Sequence, residues 1–131
     1  MWKLKTAELT TEQFDDRDSI MEPYLSVVRG WSGGVCHFDG LDADTLQLLI
    51  DKGYADPEER QNIAPTIGEI LEVMRAEPEL RAHGYLVSRE RGDARVSVEG
   101  VEGRCELDNA LKFRLADEFT FDNGDFFCWF D

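Results

Sequence analysis

Between residues 65 and 101 the apolar side chains change their spacing once, and that change constrains the fold more than any other feature of the chain. Ile67, Ile70, Leu71 and Met74 follow i, i+3, i+4, i+7, which lays four apolar groups along one face of a helix. Pro65-Thr66 opens that helix, and Thr66 with Glu69 has the spacing of a capping box. Gly68 costs the helix about 1 kcal/mol relative to Ala, so the apolar face has to compensate. Pro78 interrupts it. Residues 78–82 read as one added turn stopped by Gly84, which puts His83 at the negative end of the helix. From Tyr85 the period falls to two. Val96 and Val98 alternate with Arg95, Ser97 and Glu99, so residues 85–89 pair with 94–99 across Arg91-Gly92-Asp93. At Gly100 the alternation slips, because Val101 falls on the polar side. That slip reads as a bulge or as the end of the strand.

The flanks supply the other elements. Residues 2–5 fit a short first strand or a frayed end equally well. Thr10 and Gln13 are spaced as a capping box, Leu9 and Phe14 as the staple beside it, and Pro23 stops that helix near Met21. Residues 24–28 fit a helical extension or a short strand. Asp42 caps a second helix over 43–52. Gly53 and Tyr54 follow as the C′ and C″ positions of a Schellman ending. In 105–115 the odd positions are apolar at five of six places, which favours a strand over the helical face Leu107, Ala110, Leu111, Leu115. Asn123-Gly124 between aromatic runs marks a hairpin, whose last strand, 126–130, is apolar on both faces. A strand of that kind is covered on both sides or lies at an interface. Two or three helices and then four or five strands predict an α+β domain over residues 1–131. Its N-terminal helices pack on one face of a mostly antiparallel C-terminal sheet.

Charge narrows the function. The chain has 28 acids against 14 bases, and residues 8–59 alone hold 13 acids and three bases. Such a field repels phosphate backbones and anionic membranes and attracts a basic partner. The same acidity also serves solubility. Cys36, Cys105 and Cys128 are an odd number without metal-finger spacing, and no run is long and apolar enough for a membrane span. A reduced cytoplasmic setting, with buried thiols and no cofactor or metal, is the expectation.

No motif in the chain marks a family, and several suggestive ones are weak. Gly30-Trp31-Ser32-Gly33-Gly34 spells G-x-S-x-G, yet no good helix start follows it, so it reads as a glycine-rich turn. Cys36-His37 and Asp39 place three ligand types close together, but neighbours on an extended segment point to opposite faces. The acids from Asp39 to Asp44 lack the glycine and glutamate of a calcium loop and suit helix capping. Arg91-Gly92-Asp93 is turn chemistry. Trp31, in its glycine-serine loop, is either pinned beneath that loop or a contact residue. The contact residues nominated are Trp31, His37, Asp39 and His83; no catalytic pair stands out. The leading expectation is therefore a non-catalytic module binding a basic protein. One alternative is a small enzyme or ligand binder with a cleft near residues 31–39. The other is a homodimer pairing through the edge of residues 126–130.

Overall fold

A computed structural model describes residues 9–131; the expectation for residues 2–5 lies outside them. Helix α1 is Thr11–Met21, followed by a 3₁₀ turn at Glu22–Tyr24. Strands β1 (Trp31–Ser32) and β2 (Val35–Leu41) precede helices α2 (Ala43–Asp51) and α3 (Ile67–Ala76). Strands β3 (Arg81–Val87) and β4 (Val96–Arg104) follow. Then come the short helix α4 (Leu107–Ala110), a 3₁₀ turn at Leu111–Phe113, and strands β5 (Glu118–Asp122) and β6 (Asp125–Trp129). The result is an α+β fold with one six-stranded antiparallel sheet in the order β1-β2-β3-β4-β6-β5. Two expectations are corrected here. Among the described residues there are four α-helices and six strands rather than two or three and four or five, and two of the strands come before the second helix, because Gly33 and Gly34 turn the chain back on itself at positive φ.

The helix ends form as their local chemistry dictates. Thr10 and Gln13 make a reciprocal capping box, and so do Thr66 and Glu69. The Asp42 carboxylate accepts from the Thr45 amide at 2.7 Å. After α2, the Gly53 amide donates to the Ile50 carbonyl and the Tyr54 amide to that of Leu49, the two bonds of a Schellman ending. Gly53 takes φ 80° to do so, and Tyr54 is buried.

One apolar core joins helices and sheet. Leu46, Leu49, Ile67, Ile70, Leu71, Val73 and Met74 meet Phe38, Leu41, Leu86, Val96, Val98, Val101, Phe126 and Cys128. The register explains the choice of strand residues, since Cys36, Leu86 and Val96 stand opposite one another, as do Phe38, Gly84 and Val98. Opposed residues share a face, so the residues between them form the other face: His37, Tyr85 and Ser97 in one row.

Residues 105–115 are helical where the odd-even alternation favours a strand. Cys105, Ala110 and Phe113 are the buried set, and Leu107, Leu111 and Leu115 are exposed. The alternation therefore counts leucines that never enter the core. Glu77 holds the turn instead, accepting from the Asn109 side chain at 2.6 Å and the Glu106 amide at 3.0 Å. Strand β4 does not end at Gly100. The register steps at His83/Gly84 opposite Gly100/Val98, so Glu99 is an extra residue, and beyond it Val101 is turned into the core opposite Ala82. Strand β6 lies between β4 and β5, so residues 126–130 are not an edge and edge pairing through them is closed.

Candidate open-face binding site

The face of the sheet away from the core is polar and partly uncovered. The loop of residues 55–64 reaches one part of it. There Glu59 accepts from the Ser97 hydroxyl at 3.0 Å and lies 3.0 Å from Arg95 Nε, and Gln61 accepts from the Tyr85 hydroxyl at 3.3 Å. Burial pushes the Glu59 carboxyl up to about 7, against the downward pull of Ser97 and Arg95. The rest of the face is a depression of about 490 Å³ bordered by β2, β3, β4, β6 and the end of β5.

Four carboxylates line it: Asp39, Glu99, Glu102 and Glu118. Arg29 is the lone arginine or lysine among the lining residues, and Phe127 and Trp129 provide aromatic wall. Asp39, Glu102 and Glu118 make no ion pair among the described residues. Glu99 differs, because the β4 bulge turns it into the wall and leaves it 8% exposed. Burial raises its carboxyl, while the Trp129 side chain and Arg29 pull it down. His37 Nδ1 lies 4.0 Å from Glu99 Oε1, and the ring meets Tyr85 edge-on. Burial lowers the His37 pKa, Arg29 adds to this, and a bond to the Gly84 backbone opposes it.

His83 is buried in mid-strand and does not sit at a helix end, because Pro78 stops α3 and β3 begins at Arg81. The Cys128 carbonyl, 3.0 Å from Nε2, can only accept, so Nε2 carries the proton. The ring stacks on Phe127 with centroids 5.1 Å apart and planes within 3°. Burial lowers the His83 pKa, which keeps the ring neutral. Gly100 makes this arrangement possible, since a Cβ there would stand 2.0 Å from the Cys128 carbonyl oxygen and 3.0 Å from His83 Cε1.

His37, Asp39 and His83 thus line one depression, whereas Trp31 does not reach it. Trp31 is half exposed and borders a separate hollow with Asp15, Asp18, Leu25 and Arg89. Glu99, Glu102, Glu118, Phe127 and Trp129 complete the site, and none of them carries a local motif. Period-two spacing marks Glu99 as polar-facing, but the bulge that buries it depends on its partner strand. The G-x-S-x-G stretch is a hairpin turn with no helix after it, which removes the geometry of a nucleophile elbow. Among the described residues, no three His, Cys, Asp or Glu side chains come together as metal ligands, and no helix is long and apolar enough to cross a membrane. Comparison with protein families, curated proteins and solved structures finds no match.

Proposed function

We propose that the chain is a non-catalytic module that binds a basic partner protein, and that a lysine or arginine of that partner enters the open-face depression. The carrying observation is the excess of four carboxylates over one arginine against an aromatic wall. Carboxylates draw a cation in, and the faces of Phe127 and Trp129 hold it by cation–π attraction. The net charge of −14 steers such a partner toward the molecule. A cytoplasmic setting belongs to the same proposal, supported by three buried free thiols.

A second reading, small-molecule binding or acid–base chemistry, draws on His37, Asp39 and His83 at one depression. His83 weighs against catalysis, because its Nε2 proton is committed to the Cys128 carbonyl and its ring to Phe127.

The test is an amide-resolved NMR titration with an arginine-rich peptide at low salt. The proposal expects saturable shifts at Glu99, Glu102 and the Trp129 indole that vanish as salt is raised. Shifts scattered over the acidic segment 8–59, with none at these three, would count against it.

A further inference from the structure

We infer that the β5 edge of the sheet takes an extended segment of the basic partner as an added strand, one in which basic and apolar residues alternate. This rests on the reading above and names the form of the partner. Among the described residues the sheet ends on β1 at one side and β5 at the other. Strand β1 has two residues and is too short to template another strand, whereas β5 has five.

The hairpin turn tells which β5 groups are open. Asn123 and Gly124 both have positive φ, 55° and 94°, as a two-residue type I′ turn requires. Its closing pair, Asp122 and Asp125, exchanges both backbone hydrogen bonds, and so do Thr120 with Phe127 and Glu118 with Trp129. The N–H and C=O groups of Phe119 and Phe121 therefore point away from β6. They have no turn, loop or cap partner among the described residues.

The side chains set the chemistry of the incoming strand. Glu118, Thr120 and Asp122 share the open face with Trp129, Phe127 and Asp125, and Glu118 also borders the depression. Phe119 and Phe121 point the other way, are half-buried and pack on Phe126. A neighbouring strand would thus place every second side chain beside two carboxylates and the others beside two phenylalanine rings. Lysine or arginine alternating with an aliphatic residue satisfies both. A second copy does not. Antiparallel pairing about Thr120 sets Glu118 against Asp122, and parallel in-register pairing sets each acid against itself. The acids guard the edge against self-association and leave it open to a cationic strand.

The full-length protein is titrated with a capped peptide alternating lysine and valine, and amide exchange is followed by NMR. Glu118→Lys/Asp122→Lys is titrated alongside, together with a peptide N-methylated at alternate residues. The inference expects the Phe119 and Phe121 amides to become protected on binding. It expects affinity to fall about tenfold or more in the double variant, whose substituted positions are exposed. The N-methylated peptide should bind far more weakly. Binding with shifts confined to the depression and no protection at Phe119 and Phe121 overturns this inference while the reading above stands. No binding of the peptide at low salt overturns both. Phe119 and Phe121 amides already protected in the free protein, by the chain itself or by a second copy, overturn the added strand.

Discussion

On the side of the sheet that meets the helices, Phe38, Leu41, Leu86, Val96, Val98, Val101, Phe126 and Cys128 form a continuous apolar layer. On the other side the same strands carry His37, Tyr85, Ser97, Glu99, Glu102, Phe127 and Trp129 around charged groups. The first face explains folding without help from the second, because burial of apolar surface is the dominant favourable contribution. The second face is costly in part. Glu59, His83 and Glu99 are buried polar groups whose charged forms are disfavoured by desolvation. The division separates a stabilising face from a recognising one, and substitutions on each should behave differently.

The largest effect is expected on the core face. Phe126→Ala removes a buried ring that touches Phe113, Phe119 and Phe121, and should cost about 4 kcal/mol in chemical denaturation. A loss below about 1 kcal/mol would show that this layer does not hold the sheet.

Next comes the buried carboxylate under the 55–64 loop. The Glu59 pKa lies near 7 in the folded chain against an ordinary 4.5, so the folded state binds the extra proton between those values. The Glu59 contribution to stability should therefore be complete below pH 4.5 and be lost, by up to about 3 kcal/mol, as pH rises through 7. Glu59→Gln stays neutral and should lack this component, so the variant gains on the wild type as pH rises. Parallel pH profiles would contradict the assignment.

Gly100→Ala sits on the boundary between the two faces. Its Cβ would force β4 from β6 and displace His83, costing about 2 kcal/mol and distorting the depression. Thermal denaturation and the NMR shift of the His83 ring report the two consequences.

The smallest stability effect belongs to the open face. Glu102→Ala removes an exposed acid with no ion pair among the described residues and should change stability by less than about 0.5 kcal/mol. Binding of a cationic ligand should nevertheless weaken. Burial holds the Glu99 proton to higher pH than usual, so that affinity should also rise with pH as Glu99 ionises. An affinity flat across the acidic range would remove Glu99 from the site.

What the sequence reveals follows the range of the interactions. The capping boxes at Thr10 and Thr66, the Schellman ending at Gly53 and the Asn123-Gly124 turn are settled within a few residues, and each is legible. Residues 105–115 mislead because Leu107, Leu111 and Leu115 are exposed, so hydrophobicity there does not report burial. His83 is misplaced for a similar reason. Its strand runs back to Arg81 because β3 pairs with β2, which lies far off along the chain, and with β4 beyond the bulge at Glu99. The site is half legible. His37, Asp39 and His83 stand out as rare or clustered residue types, whereas Glu99, Glu102 and Glu118 are ordinary acids among 28 until the sheet collects them.

Calorimetric titration of one arginine-rich peptide into the wild type and Glu102→Lys, with the unfolding midpoint of each measured in parallel, separates the two faces. Binding to the wild type should be salt-sensitive, binding to the variant about tenfold weaker or more, and the two midpoints nearly equal. Equal affinity in the two proteins, or a loss of binding that merely follows a loss of stability, would contradict a recognising face distinct from the stabilising one.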